Sequence, residues 1–292
     1  MTNQRTYKPA MGQLRYVPNM VTDYAMLTYF AALVACCIAY SRYALDFKWM
    51  LFGIVEVVGF FYFSNYCSKE WIDYTPKQFL KNIFWWGFTL RVVWVLVSYI
   101  IHQHWMGTAF TIDARDELFY DEVARYGAGL MRNWDWHIYS KVMTFSGAAF
   151  SDMGYPMYLS IVYWIFGDSI LMARIIKALL GAWTAVLIYK FASRNFGLSV
   201  GRIAAIFCML MPNLIYYCCF QLKEVEMVFL AVLFAERADA LIRMKKMPWR
   251  SLILLMLIPA YMFMIRTALA ATLVLAFMCA LLLTTGRVVH TG

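Results

Sequence analysis

The stretch Ser251–Thr285, SLILLMLIPAYMFMIRTALAATLVLAFMCALLLTT, decides the fold class of this chain. Its single charged side chain is Arg266, and almost every other residue in it is apolar. A helix needs about 20 apolar residues to cross the ~30 Å hydrocarbon core of a bilayer. The stretch therefore predicts two transmembrane helices, 250–265 and 267–285, with a polar break between them.

The composition of the whole chain points the same way. Hydrophobic residues make up 63% of it and charged residues 15%, whereas soluble domains carry about 25% charged residues. A basic leader with Arg5, Lys8 and Arg15 precedes an apolar run of about 20 residues, which is too long for a signal peptide and is interpreted as a retained first helix. The net charge of +9 does not predict a nucleic-acid partner, because the basic residues are dispersed between apolar runs.

We predict an all-α fold, a polytopic membrane bundle of about eight transmembrane helices with one long external loop that contains interfacial helices. The candidate spans are 21–41, 48–66, 83–102, 169–191, 202–220, 222–241, 250–265 and 267–285.

The connecting segments give the orientation. If the spans alternate, four basic segments fall on one side: the leader, 68–82, 190–202 and 243–250. Cytoplasmic loops are enriched in Lys and Arg, so this side and the N-terminus are predicted to be cytoplasmic. Arg42 and Lys48 are the exceptions. Segment 103–153 holds seven of the 17 acidic residues and is predicted to be external.

Residues 155–166 are apolar but too few to cross the bilayer as a helix. We predict instead a helix in the outer interface, with Pro156 in its first turn and Gly167 at its end. The side chains that suit the headgroup boundary are Tyr155, Tyr158, Tyr163 and Trp164.

An acidic motif, DARDELFYDEVARY, occupies residues 113–126 of the external loop. In a helix, Asp116, Tyr120 and Ala124 share a face, and Glu117 lies on a neighbouring stripe. Clustered carboxylates can supply a general base or hold a divalent cation. Alternatively, Asp113 is an N-cap and the next two acids complement the dipole of the first turn.

A second group of charges, Lys223, Glu224 and Glu226, opens a span at the outer edge of the bilayer. Ionisable residues at membrane depth are functional candidates, because the bilayer makes them costly. The alternative is a pair of long side chains that reach back to the interface. Glu226 has no evident partner in the sequence.

Two arginines are predicted at the same outer depth. Arg266 either clamps a phosphate with its guanidinium fork or forms only the polar turn between two helices. Arg174, near the outer end of its span, is a weaker candidate of the same kind.

His102 and His104 follow the third span and could bind a metal if a carboxylate joined them, but residues two apart do not share a helical face. The seven cysteines contain no Cys-x-x-Cys pair, and nearly all lie in apolar runs. We therefore expect them to be packing residues rather than ligands or disulfides.

The order of these motifs resembles the GT-C superfamily of membrane glycosyltransferases, which use polyprenyl-phosphate-linked sugars. The likeness is to protein O-mannosyltransferases and their bacterial relatives, including lipid A aminoarabinose transferases. Those proteins place an Asp-Glu motif followed by an aromatic in the first long external loop. The matching motifs here are Asp116-Glu117 with Tyr120, Gly154-Tyr155-Pro156, Phe166-Gly167, Ala173-Arg174, Tyr189-Lys190, Pro212-Asn213 and Lys223-Glu224.

The resemblance covers roughly residues 83–270. It implies a leader with two additional transmembrane helices over 1–82, and a GT-C-like module over 83–292 with an external catalytic loop at 103–168. Relatives carry further spans, so the resemblance also implies that a partner membrane subunit could supply them.

The resemblance implies an inverting transfer of sugar from a polyprenyl-phosphate donor to an acceptor glycan, lipid or protein outside a bacterial inner membrane. Asp116 is expected to be the base, and Glu117 orients it or binds a divalent metal ion. The metal candidates are Asp116, Glu117 and His104. The residues expected to contact the donor are Lys223, Glu224, Arg266, Arg174 and Tyr120.

Two other functions stay open at this point. Charges at membrane depth also suit a transporter or flippase of a lipid-linked or amphipathic anion. The chain could also be a non-catalytic subunit of an envelope-glycan assembly complex.

Overall fold

The computed structural model describes residues 15–43, 46–111, 114–243 and 249–290. Within these ranges every regular element is helical, and the prediction of an all-α bundle is confirmed. The α-helices are α1 Asn19–Ala39, α2 Phe47–Glu70, α3 Pro76–Met106, α4 Arg115–Arg132, α5 Ile138–Ser146, α6 Gly154–Phe166, α7 Ile170–Phe196, α8 Leu198–Leu210, α9 Pro212–Tyr216, α10 Glu224–Ile242, α11 Trp249–Ile265 and α12 Thr267–His290.

Four of the described helices, α1, α2, α3 and α7, are long and apolar enough to cross a membrane. The pair α8 and α9 adds a fifth span if the two are counted together. Helices α11 and α12 are also apolar but shorter over their described parts. The chain is thus an integral membrane protein, and the count of about eight spans stays a prediction.

The predicted span 202–220 is interrupted in the structure, because α8 and α9 meet at a bend of 50°. The break falls at Met211-Pro212. Proline has no N–H to donate, and it disfavours helical backbone at the residue before it. Met211 accordingly has an extended ψ of 114°.

Arg91, fully buried in α3, stabilises this break. Its guanidinium donates hydrogen bonds to the carbonyls of Met209, at 3.1 Å, and Cys208, at 3.2 Å. These carbonyls belong to the last turn of α8, where intrahelical donors run out. The bend is therefore stabilised by tertiary hydrogen bonds and is not a frayed helix end.

Helix α3 begins at Pro76, earlier than the predicted 83, and its cap explains the difference. Thr75 and Gln78 form a capping box, with Pro76 in the first helical position. This is a sequence signature of a helix start. The helix ends at Gly107, which adopts the left-handed conformation with φ 68°.

Helices α3, α7 and α8 form the centre of the bundle, and α7 packs closely on α8 across small residues. We call the end where α3 stops and α7 starts the loop end. At the opposite end, Arg202 donates to the carbonyls of Ile72 and Tyr74 and so ties the connection between α2 and α3 to α8. Arg194 at the same end pairs with Glu236, at 2.7 Å.

At the loop end, α4 and α6 pack against each other and cover the start of α7. Helix α6 confirms the predicted helix 155–166 and ends at Gly167, with φ 76°. The placement of Tyr155 and Tyr163 at the headgroup boundary is wrong. Both are fully buried, because α6 is apolar around most of its circumference and packs on more than one neighbour. Trp164 is exposed.

We predict that Gly201→Ala destabilises the α7–α8 pair by about 1–3 kcal/mol, the usual cost of overpacking. An added Cβ at Gly201 would lie 2.8 Å from the backbone nitrogen of Ser193. The measurement is unfolding of the purified full chain in detergent. Gly129→Ala is the control, since its Cβ would meet nothing within 4 Å. Equal stability of the two variants would contradict the packing described here.

Candidate functional site

The candidate site lies at the loop end, where the starts of α4, α7 and α10 converge on the segment 220–223. Arg174 of α7 donates a 2.7 Å hydrogen bond to the carbonyl of Ala109. Glu117 of α4 accepts from the backbone N–H of Gln221 at 2.9 Å. Residues that are far apart in the sequence thus meet at one depth of the bundle.

Glu117 is buried and fully engaged. One carboxylate oxygen accepts from the Thr111 hydroxyl at 2.9 Å. The other accepts from Gln221 and lies 3.6 Å from the Arg174 guanidinium. A carboxylate with this many fixed partners holds three chain segments together, so its arrangement suits a positioning residue rather than a base.

Asp116 has the opposite environment. It lies exposed in the first turn of α4, within electrostatic reach of the Tyr120 hydroxyl. Tyr120 and Ala124, which share its predicted face, are both buried, so Asp116 stands at the open edge of that face. The predicted N-cap Asp113 lies outside the described residues, and Ala114 occupies the N-cap position of the described helix.

Lys223 is buried at the N-cap position of α10. Its ammonium group lies 2.6 Å from the Asp152 carboxylate and 3.2 Å from the carbonyl of Ile265. It also lies 5.9 Å from the centre of the Tyr120 ring. Lys223 thereby joins the loop before α6 to the end of α11.

Arg266 directly follows Ile265, in the break between α11 and α12, and its side chain is exposed. The structure therefore places it in the turn, beside the carbonyl that Lys223 binds.

Burial raises the pKa of the Tyr120 hydroxyl near Lys223, so that this hydroxyl stays neutral at physiological pH.

Lys177 and Glu226 form a second buried ion pair, in addition to Arg174 and Glu117. Lys177, one helical turn after Arg174, donates to the carbonyls of Phe220, at 2.7 Å, and Leu222. Its ammonium group lies 3.7 Å from the Glu226 carboxylate. Lys177 is the partner of Glu226 that the sequence did not reveal. The sequence feature that could have identified Lys177 is its position as a charged residue inside an apolar span, since such residues are functional candidates.

Unpartnered polar atoms surround this pair. Among the described residues, neither carboxylate oxygen of Glu226 has a hydrogen-bond partner, nor do the hydroxyls of Tyr155 and Tyr158. One oxygen of Glu224, the half-buried first residue of α10, is in the same state. Buried polar groups normally find partners, so this region can take up ordered water or polar groups of a ligand.

A side-chain network fixes Gln221 from another direction. Its amide donates to the Tyr163 hydroxyl at 2.9 Å, and that hydroxyl donates to Asp121 at 2.5 Å. Arg125 binds the same carboxylate at 2.7 Å. Burial and the adjacent Asp121 carboxylate raise the pKa of Tyr163, so its hydroxyl remains a donor at neutral pH. No local sequence pattern indicates this network, because Gln221, Tyr163 and Asp121 lie on different segments of the chain.

The three predicted metal candidates do not form a ligand set. In the described part of the chain, no group of three or more His, Cys, Asp or Glu side chains lies close enough together to hold a metal ion. His104 is exposed at the end of α3, and Glu117 is occupied by its protein partners. Asp116, Glu117 and His104 therefore do not fit a metal as they stand.

The seven cysteines are free thiols. Cys208, Cys218 and Cys219 are buried packing residues. Cys36 and Cys279 have exposed side chains and do not pack inside the chain.

A family model described as dolichyl-phosphate-mannose-protein mannosyltransferase matches residues 153–291, just under half of the chain. The resemblance to GT-C glycosyltransferases is confirmed. The match supports a membrane glycosyltransferase of the GT-C type. No curated protein and no solved structure matches the chain.

The matched range differs from the expected range, 83–270. It runs from α6 to α12 and so includes Arg174, Lys223 and Arg266. Asp116 and Glu117 precede it, and they are linked to it by contacts in the structure rather than by the family match. The geometry thus connects the acidic helix α4 to the matched segment.

We predict that Arg174→Met destabilises the protein by about 3–5 kcal/mol, because it leaves the buried Glu117 carboxylate without its cation. The measurement is denaturant unfolding of the full chain in detergent. Arg243→Met is the control, since its ion pair with Asp239 is exposed and such pairs contribute about 1 kcal/mol or less. Equal losses for both variants would show that the buried pair has no special role.

Proposed function

We propose that the protein transfers a sugar from a polyprenyl-phosphate donor to an acceptor hydroxyl or amine at the loop end. The observation that carries this proposal is the separation of roles within one site. An exposed carboxylate, Asp116, and the buried Lys223 ammonium group both lie within electrostatic reach of the Tyr120 hydroxyl at the loop end. A transferase of this kind needs one group to accept a proton and others to hold a phosphate.

The cations supply the phosphate-binding part. Lys223 is held by Asp152 and by the Ile265 carbonyl, and the exposed Arg266 follows that carbonyl directly. A guanidinium fork can bind two phosphate oxygens at once. Because Lys223 is already positioned by protein contacts, little ordering is required of it when the donor binds.

The chemical step is a single displacement at the anomeric carbon. The acceptor oxygen or nitrogen attacks this carbon, and its proton passes to Asp116. The bond from the anomeric carbon to the phosphate oxygen breaks, and polyprenyl phosphate leaves with the bonding electrons. Phosphate is a good leaving group, so the cations only need to stabilise the charge that develops on it. One displacement inverts the configuration of the sugar.

Glu117 has a different role in this scheme. It fixes Arg174 and the Gln221 backbone, and so sets the position of the segment that ends at Lys223. Glu224 and Tyr120 line the same region and are proposed to contact the sugar or its acceptor.

The loop end is proposed to face the outside of a bacterial inner membrane, with the N-terminus in the cytoplasm. The opposite end carries Arg194, Arg202, Arg237 and Arg243, which agrees with the positive-inside rule. The proposed acceptor is a glycan, lipid or protein of the cell envelope, and a partner membrane subunit could complete the site. In this arrangement residues 1–82 add two helices to a transferase module that begins at 83.

Asp116→Asn is expected to lower the transfer rate by about 10²–10⁴-fold, the usual contribution of a general base. The assay uses the full chain in liposomes with radiolabelled polyprenyl-phosphate-mannose and measures released polyprenyl phosphate. Glu122→Gln, an exposed acid on the same helix, is the matched control and should keep full activity. Full activity of Asp116→Asn would remove Asp116 from the mechanism.

Arg266→Gln is expected to weaken donor binding about 10–100-fold, since a charged hydrogen bond contributes roughly 1.5–3 kcal/mol. Titration of the liposome-embedded protein with polyprenyl phosphate measures this directly. Arg237→Gln, at the opposite end, should leave the affinity unchanged. Arg266 is exposed, so stability should not fall. Unchanged affinity in Arg266→Gln would mean that this residue only forms the turn.

The broken span formed by α8 and α9 favours a second function, because discontinuous helices are common at the substrate sites of transporters. On this alternative the chain moves a lipid-linked or amphipathic anion across the membrane. The radiolabelled donor separates the two functions. Release of polyprenyl phosphate identifies an enzyme, and uptake into vesicles without bond cleavage identifies a carrier. If neither release nor uptake is observed, the chain is a non-catalytic subunit.

A further inference from the structure

Three polar neighbours surround the ammonium group of Lys223, at the start of α10, and use its full hydrogen-bonding capacity. An ammonium group donates three hydrogen bonds. The Nζ atom of Lys223 lies 2.6 Å from the Asp152 carboxylate and 3.2 Å from the Ile265 carbonyl oxygen. The Tyr120 hydroxyl is its third polar neighbour. An anion that binds this ammonium group must therefore replace one of the three.

Among these neighbours, Asp152 is the one that a ligand can reach. Ile265 is fully buried and Tyr120 is 7% exposed, whereas the Asp152 side chain is 44% exposed. The Ile265 carbonyl also belongs to the last residue of α11, so it cannot move without that helix. The open side of the Lys223 ammonium group is therefore the side that Asp152 covers.

Asp152 belongs to the connection between α5 and α6, residues 147–153, which we call the strap. The strap begins at Gly147, which has a left-handed φ of 60° and open space where a Cβ would lie. Its other end is fixed, because an added Cβ at Gly154 would lie 2.8 Å from the backbone of Met264 in α11. The strap is thus held against α11 at one end and tied to α10 by the ion pair of Asp152.

The charge on Lys223 determines what can replace Asp152. A buried cation that has lost its counter-ion is strongly unfavourable. A neutral ligand that displaced Asp152 would leave Lys223 in that state, because Ile265 and Tyr120 offer only neutral oxygens. A phosphate brings both negative charge and several acceptor oxygens. It can therefore take the place of the carboxylate while the ammonium group stays paired.

We propose that Asp152 is an autoinhibitory counter-ion, which the phosphate of the lipid-linked donor displaces from Lys223. The inference rests on the proposed function, and it gives Asp152 a role in admitting the donor. In the donor-free protein the carboxylate occupies the place of a phosphate oxygen, and the strap covers the ammonium group. When the phosphate binds, the strap is released at Asp152. A neutral lipid with the same tail does not release it, because it brings no charge to Lys223.

Hydrogen–deuterium exchange on the wild-type full chain tests the release of the strap. The protein is embedded in phosphatidylcholine nanodiscs and is measured with polyprenyl phosphate and with the neutral polyprenol of the same length. We expect polyprenyl phosphate to speed the exchange of peptides covering 147–153, and polyprenol to leave it unchanged. No change with polyprenyl phosphate, or an equal response to both lipids, would overturn the proposal.

Asp152→Asn tests the competition between the carboxylate and the phosphate. It keeps the side-chain volume and an acceptor oxygen for Lys223 but removes the charge. We expect polyprenyl phosphate to bind about tenfold tighter, because it no longer displaces a charged hydrogen bond. Asp168→Asn is the matched control, since Asp168 is a partly exposed acid at the loop end that pairs with Arg132, also at 2.6 Å. It changes the net charge equally and should leave the affinity unchanged.

The double variant Asp152→Asn/Lys223→Gln locates the gain in affinity. If the phosphate contacts Lys223, removing the Asp152 charge should give no gain in the Lys223→Gln background, because the two residues act on the same bond. A general effect of added positive charge would persist in that background.

The remaining outcomes separate the exchange from the proposed function. Unchanged, weaker or absent binding to Asp152→Asn, an equal gain in Asp168→Asn, or a gain that survives without Lys223 would each overturn the exchange, even if sugar transfer is found. Release of the strap by inorganic phosphate or phosphatidylglycerol alone would assign it to a free phosphate or a lipid headgroup and overturn the donor as its cause. Release and tighter binding without any sugar transfer would uphold the exchange and count against the proposed enzyme.

Discussion

The structure depends on two buried cations in α7, Arg174 and Lys177, and on the carboxylates that offset their charge. An ionised group taken out of water costs several kcal/mol unless paired charges and hydrogen bonds compensate for it. Glu117 lies 3.6 Å from Arg174, and Glu226 lies 3.7 Å from Lys177. Because these carboxylates come from α4 and α10, the requirement for charge compensation joins three helices at the loop end.

The same cations also fix the chain between them. Lys177 binds the carbonyls of Phe220 and Leu222, and Glu117 binds the N–H of Gln221 between them. This short segment is where the broken span returns to a regular helix, so its backbone groups lack partners of their own. The side chains supply those partners. The segment then presents Lys223 to the site on one side and packs Phe220 against Tyr216 on the other.

The sequence predicted the parts of this arrangement that depend on local patterns. Apolar runs indicated an all-α membrane bundle, and Gly167 correctly marked the end of α6. Alternation of the spans predicted Glu117, Lys223 and Arg266 on one side of the membrane, and contacts in the structure bring their segments to the same end of the bundle. Pairings across the bundle could not be predicted in this way. Lys177 lies inside an apolar run and finds Glu226 only through tertiary packing, and Tyr163 is buried by the contact of α6 with α4. Pro212 indicates a break in the fifth span, but the uniformly apolar composition of residues 202–220 favoured a single helix there.

The two buried ion pairs hold segment 220–223 in place and thereby preform one wall of the site. Hydrogen–deuterium exchange on the full chain in nanodiscs tests it most directly, with the double variant Lys177→Met/Glu226→Gln, which removes both charges and keeps the side-chain volumes similar. We expect faster exchange in peptides covering 219–224, because the Lys177 contacts to the two carbonyls are lost. Peptides covering 232–240, near the opposite end of α10, should exchange as in the wild type. Unchanged exchange at 219–224 would contradict the claim.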